Sequence, residues 1–352
     1  MARTAFVRDQ LFHRHNEHDR WHPENTGRLD AIERHVDRSE WKNEPPIELE
    51  ARSVSEELIL TNHSSQYFER IKGTDGRERT MLDPDTSASA YTYQAALKAA
   101  GAVTGLIDAV MDGEIDNGFA AIRPPGHHAT NTRSMGFCIF NNVAIAARYL
   151  QSRYKLSRIA IVDFDVHHGN GTQDSFYSDP GILYISTHRY PFFPGTGDVD
   201  ETGVGDGRGY SFNIPLSVHM GDTEYVTLFD RLICPVLETY KPEFLLISAG
   251  YDAHEDDPLG GMRMTTAGYR AIIHMMMQTM QEHVGHQRFV ATLEGGYDLT
   301  ALAKSVVHSL KVMKGEVNGA EAVEAALARP VLPVIDTISK KIIEQNKSFW
   351  NF

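Results

Sequence analysis

Ile159-Ala160-Ile161-Val162-Asp163-Phe164-Asp165-Val166-His167-His168-Gly169-Asn170-Gly171 opens with apolar, mostly β-branched residues and then switches abruptly to acids and imidazoles. The apolar run predicts a buried parallel strand. Alternation along an extended chain puts Asp163, Asp165 and His167 on one face, successive ones about 7 Å apart. Two carboxylates buried that close together are costly unless a cation compensates them. Asp-x-His points one oxygen and one nitrogen ligand at the same ion. Gly169 and Gly171 then let the backbone turn tightly.

Outward from this stretch, the chain has 352 residues, 41% of them hydrophobic, and a formal charge of −13. That length and composition fit a globular α/β protein. The acidity argues against a direct nucleic-acid partner and favours a cationic substrate. Cys138 and Cys234 are the only cysteines, which excludes a disulfide framework and fits a reducing compartment. Residues 1–15 lack an apolar leader core and no run approaches membrane-spanning length, so the expected location is cytoplasmic, with no membrane partner.

A recurring grammar of apolar strand followed by polar, glycine-bearing loop fills the rest. Phe119–Ile122 leads into Arg123-Pro124-Pro125-Gly126-His127-His128, and Ile182–Ser186 into Thr187-His188-Arg189-Tyr190. Phe244–Ser248 leads into Ala249-Gly250-Tyr251-Asp252, and Phe289–Leu293 into Glu294-Gly295-Gly296-Tyr297-Asp298. Helical patterns fall between them, at 142–152, 223–239, 266–283 and 299–313, after an alanine-rich helix over 91–111. The alternation predicts a mostly parallel sheet with helices on both faces, its site beyond the carboxyl ends of the strands.

Nearer the N-terminus, His13, His15, His18 and His22 read as loop residues. Thr26 is placed to cap a helix over 28–36, Ser53 and Glu56 have capping-box spacing for a helix reaching Leu60, and 64–71 reads as a further helix. Residues 73–90 read as a loop. No repeat or linker interrupts the chain, so it reads as one domain over 1–352, with its motifs in about 22–313. A helical tail over about 316–352, broken by Pro330 and Pro333, is a candidate for covering a sheet edge or for assembly into a homo-oligomer.

Asp252 follows a buried strand at the level of Asp165 and His167. Three such protein ligands leave coordination positions free for water and substrate, as catalytic zinc requires. A carboxylate-rich site also takes Fe²⁺. His127 and His128 follow a rigid Pro-Pro-Gly bend, where they can act as base and electrostatic partner, and Asp163 can hold one imidazole in its tautomer. Tyr297, on a glycine turn, can donate to a developing oxyanion. Gly136-Phe137-Cys138 and Phe192-Phe193-Pro194-Gly195 put aromatic rings on loops, where they can line a narrow apolar channel.

Together these segments resemble the histone deacetylase and acetylpolyamine amidohydrolase superfamily, in its class II and bacterial-type form. The motifs are Arg-Pro-Pro-Gly-His-His-Ala (123–129), Gly-Phe-Cys-Ile-Phe-Asn-Asn (136–142) and Asp-Phe-Asp-Val-His-His-Gly-Asn-Gly-Thr (163–172). Phe-Phe-Pro-Gly-Thr-Gly (192–197), Ala-Gly-Tyr-Asp-Ala-His (249–254) and Glu-Gly-Gly-Tyr-Asp (294–298) complete the set.

The resemblance implies a three-layer arginase/deacetylase-like α/β fold around an eight-stranded, mostly parallel sheet. It implies zinc on Asp165, His167 and Asp252, His128 as general base and acid, His127 as electrostatic partner, and Tyr297 polarising the acyl carbonyl. Gly136, Phe137 and Phe193 match the walls of the acyl-lysine tunnel. Arg28 matches the arginine of an internal cavity, and Asp163 and Ser186 match side chains holding a structural potassium ion. Where class I members have an aspartate behind the second histidine, this chain has Asn170, which gives a hydrogen bond without a charge. Asp83 or Asp85 matches an acid that grips the substrate backbone. Leu259 stands where the polyamine branch carries a glutamate. The implied function is zinc-dependent deacetylation of acyl-lysine in peptides or proteins. Acetylated polyamines or other small acyl amines are the nearest alternative, followed by an arginase-type hydrolase and a non-catalytic acyl-lysine binder.

Overall fold

The strands of the computed structural model, which covers residues 1–352, are Thr4–Val7 (β1), Ile47–Glu48 (β2), Thr80–Met81 (β3), Ser87–Ala88 (β4) and Asn117–Ala120 (β5). They continue as Ile159–Asp163 (β6), Ile182–Arg189 (β7), Ser211–Leu216 (β8), Phe244–Ala249 (β9) and Phe289–Leu293 (β10). Eight of them form one sheet in the order β2-β1-β5-β10-β9-β6-β7-β8, and every pairing in it is parallel. β3 and β4 form a separate antiparallel pair inside the stretch expected to be loop.

The central strands β10, β9 and β6 are buried along their whole length, as their unbroken apolar runs require. Helix Thr92–Met111 fits closely because its alanines are buried along most of its length. A second cluster gathers Tyr67, Phe68, Tyr93 and Phe140, and fixes the 53–100 region against the loop that follows His128.

Local expectations change in several places. β5 ends at Ala120, two residues before the expected end, because the chain leaves the sheet towards the paired prolines. β7 runs on to Arg189, so Thr187 and His188 are strand residues rather than loop. Helix Gly27–Arg38 extends past both expected ends, and Thr26 makes no side-chain cap; Asn25 Oδ1 instead accepts from Gly27 N at 2.9 Å. Ser53 caps nothing, since the helix there is Glu56–Ile59. Ser64 does cap Ser65–Lys72 through Tyr67 N. The long patterns at 223–239 and 266–283 each contain a π-helical turn, at Phe229–Ile233 and Met280–Val284. Asp163, Asp165 and His167 do not share one extended face, because β6 ends at Asp163 and the chain bends through 165–167.

In the tail, Pro333 begins helix Pro333–Asn346 rather than breaking one, as a first-turn proline can. That helix packs on edge strand β8, Phe352 stacks on Phe212, and Trp350 Nε1 donates to Gly209 O at 2.8 Å. No helix is long and apolar enough to cross a membrane.

Candidate active site

Four neighbouring strands, β5, β10, β9 and β6, end under one cleft and deliver its side chains. The bend after β6 presents Asp165 and His167, and the turn after β9 presents Asp252. His167 Nδ1 lies 3.2 Å from Asp165 Oδ1 and 3.1 Å from Asp252 Oδ2. Ligands about 2.0–2.2 Å from a tetrahedral ion stand a little over 3 Å apart, so the spacing fits one divalent metal. Backbone amides hold the carboxylates from behind: Gly295 N donates to Asp165 Oδ2 at 2.7 Å and Val166 N to Asp252 Oδ1 at 2.9 Å. Gly295 must lack a side chain, since a Cβ there would lie 2.2 Å from Asp252 Oδ2 and 2.5 Å from Asp165 Oδ2.

The electrostatics of this trio ask for a cation. Burial pushes Asp252 up to about 7, with the charge of Asp165 adding to the effect. Asp165 is buried too, yet His127 and His167 hold it well below the usual carboxylate range. His167 also pays for burial, but its two carboxylate partners raise it to about 10. Without a metal, a proton on His167 supplies the compensating positive charge; a divalent ion would displace it.

The two histidines after the Pro-Pro-Gly bend are pushed apart. His127 Nδ1 faces Asp163 Oδ2 at 3.0 Å, and this buried acid, helped by Asp165, outweighs burial and lifts His127 to about 10. Asp163 also accepts from Tyr184 Oη at 3.1 Å and Asp165 N at 3.2 Å. His128 Nδ1 faces Asn170 Oδ1 at 2.9 Å, a neutral acceptor. Burial, followed by the positive His127 and His167, pushes His128 well below the ordinary value. His128 Nδ1 thus faces a neutral amide oxygen, whereas His127 Nδ1 faces a carboxylate that favours its charged form.

The Tyr297 ring stands 6.1 Å from that of Phe137, and burial keeps its phenol protonated. The Phe193 ring stands 5.1 Å from His128, and Phe192 stacks on His167 at 5.3 Å. Gly136 has φ +55°, and a Cβ there would meet His128 Cδ2 at 2.4 Å. Asp85 and Asp83 separate: Asp85 Oδ1 accepts from Gly136 N at 3.2 Å, while Asp83 Oδ1 closes its own turn with Asp85 N and Thr86 N. Arg28 is fully buried behind Tyr297 and donates to Gly296 O at 2.7 Å and Glu24 Oε1 at 3.1 Å. Ser186 is the register partner of Asp163, and its hydroxyl bonds His188 Nδ1 at 2.9 Å.

Four residues near the cleft carried no role in the sequence reading. His22, taken as a loop histidine, packs edge-on against Phe137 at 4.6 Å. Glu24 bridges the buried guanidinium groups of Arg28 and Arg123. Glu294 accepts from Gly126 N at 2.7 Å and His127 N at 3.2 Å, and burial lifts it to about 7. Its place directly after a buried strand, like that of Asp252, was the available signal. Asp257 is 8% exposed and engaged by backbone amides.

The model of the histone deacetylase domain matches residues 22–313. The chain belongs to the histone deacetylase family. It is 40% identical over 311 residues to histone deacetylase 14, chloroplastic, of Arabidopsis thaliana, covering 84% of this chain and 73% of that one. It is 39% identical over 279 residues to a probable deacetylase of Archaeoglobus fulgidus, covering 79% of this chain and 77% of the relative. A crystal structure of the HDA15 HD domain superposes with a TM-score of 0.90 at 33% identity, covering 99% of this chain and 95% of that one. These similarities make the protein a hydrolytic deacetylase with the three-layer α/β fold of its family.

Proposed function

We propose that this deacetylase cleaves acyl-lysine amides in peptides or proteins, at one divalent metal held by Asp165, His167 and Asp252. The observation that carries the reading is that two adjacent histidines meet opposite partners: His128 Nδ1 faces the neutral Oδ1 of Asn170 at 2.9 Å, and His127 Nδ1 faces the carboxylate of Asp163 at 3.0 Å. Neighbouring groups driven apart in this way take different acid–base roles. Zinc is the default for this donor set, and Fe²⁺ suits it too. When bound, the ion supplies Lewis acidity towards the acyl oxygen and the nucleophilic water.

The chain's own residues do the rest. His128 Nε2 takes the proton of the attacking water and returns it to the departing amine. His127 adds fixed positive charge beside the negative charge that develops. The Tyr297 hydroxyl donates to the oxyanion, and its raised pKa keeps that proton in place. Gly136, Phe137, Phe193 and Leu259 enclose the aliphatic stem, and Asp85, next to Gly136, is the better placed of the two candidate rim acids. The products are a free amine and a carboxylate. A structural potassium ion at Asp163 and Ser186, a cavity at Arg28 and a cytoplasmic location belong to the same reading. The first rests on register partners on adjacent strands and the last on the two unpaired cysteines.

The test is turnover of an acetyl-lysine peptide panel, with and without chelator, by wild type and Tyr297→Phe. Wild type should turn over and lose activity to chelator. Tyr297→Phe should keep its metal and fall about 10²–10³-fold in kcat. Turnover by that variant within about threefold of wild type would make the phenol merely structural.

A further inference from the structure

Tyr297 follows two glycines, and Gly296 has φ +120°, so the turn that carries the phenol has little stiffness of its own. The Asp257 carboxylate supplies what the glycines lack. Its Oδ2 accepts from Tyr297 N at 2.7 Å, while its Oδ1 accepts from Leu259 N at 2.8 Å and Gly260 N at 3.1 Å. One buried side chain thus ties the backbone of the proposed oxyanion donor to the loop that bears Leu259 at the tunnel mouth. We propose that Asp257 is a positioning residue, a clasp that holds Tyr297 at its working distance and couples it to the substrate-lining loop.

The three amides approach both carboxylate oxygens, so only an acceptor at each end serves. An asparagine presents its NH₂ to an N–H on one side, and one contact becomes a repulsion. Bonds to a charged acceptor are the stronger kind, which suits a clasp that must resist the flexibility of the glycine turn. The clasp acts through the phenol, so it matters in the transition state and little in substrate binding.

Asp257→Asn should therefore lower kcat about 10- to 100-fold, the scale of a small misplacement of a reacting group, with KM changed less than about threefold. The deciding comparison is a double-mutant cycle with Tyr297→Phe. In the Tyr297→Phe background, Asp257→Asn should cost no more than about twofold, since the hydroxyl it positions is gone. Metal content and Tm are measured on each variant. Asp257→Glu, which keeps the charge but displaces it by a methylene, serves if the asparagine variant does not fold. Wild type gives a readout that needs no variant: hydrogen exchange of the Tyr297 amide should be slow, together with the amides of Leu259 and Gly260. Fast exchange at Tyr297, additive losses in the cycle, or a loss that appears in KM or metal content would overturn the clasp. The inference rests on the acyl-lysine reading, but absence of wild-type turnover would remove that reading alone, and amide exchange would still judge the clasp.

Discussion

At the scale of single residues, the site is decided by which donor stands behind which acceptor. Asp252 illustrates this: it shares one buried space with the Asp165 carboxylate and the His167 imidazole, and burial, with the charge of Asp165, raises it to about 7. Removing it leaves one oxygen and one nitrogen ligand, too few to hold a catalytic metal. Asp252→Ala should purify well below one metal per chain and without activity, as elemental analysis would show. Gly295→Ala should do the same without touching a ligand, because its Cβ would intrude between Asp252 and Asp165. Full metal occupancy in Asp252→Ala would remove this residue from the ligand set.

At the scale of elements, the loop after β9 bears on substrate choice. Its adjacent Asp256 and Asp257 look alike in the sequence. Asp256 is 68% exposed and pairs loosely with His254 at 3.7 Å, whereas Asp257 is occupied by backbone amides. Asp256 and its neighbour Glu255 are thus the exposed acids of this loop open to a second ammonium. Leu259, 37% exposed at the same mouth, offers an arriving ammonium no partner. A neutral peptide backbone meets no such penalty. Leu259→Glu should shift relative kcat/KM towards acetylated spermidine over an acetyl-lysine peptide by about fivefold, the worth of one part-exposed ion pair. Unchanged preference in the variant, or a wild type that already favours the polyamine, would show that this loop does not set selectivity.

At the scale of the whole molecule, several buried histidines resist protonation, and each weakens the fold as acid charges it. Burial lowers His63 and His188 to about 4 and His15 to about 3. His63 Nδ1 donates to Thr130 O at 2.9 Å while its Nε2 accepts from Asn141 N at 2.9 Å, so a second proton would face an N–H. In the unfolded chain each titrates near about 6.5. Between those values the unfolded state binds protons that the native state refuses, so the share of stability that these three histidines govern is full above about pH 6.5 and falls as pH drops towards 4. Each such histidine contributes a slope of up to about 1.4 kcal/mol per pH unit. Denaturant unfolding at pH 6.5, 5.5 and 4.5 should show a steeper loss on acidification in wild type than in His63→Gln, which can donate and accept in the same places. An equal slope in wild type and variant would mean that His63 does not titrate in this range.

The sequence by itself determined the parallel α/β plan, the motif positions and the acids and imidazoles of the cleft. Strand Phe289–Leu293 and helix Leu299–Met313 were legible to the residue, because a buried strand and a long packed helix each write their period into the chain. The outer strands were not. Ile47–Glu48 is too short to show a period, and Ser211–Leu216 contains Pro215, which an edge strand tolerates and a central one does not. Only the tertiary structure decided the chemistry within the cleft. His127 and His128 are adjacent and identical in type, and their surroundings separate because one meets the charge of Asp163 and the other the neutral amide of Asn170. Asp257 became a backbone clasp for the same reason: its partners lie up to 40 residues away in the chain, and only folding brings them within hydrogen-bond reach.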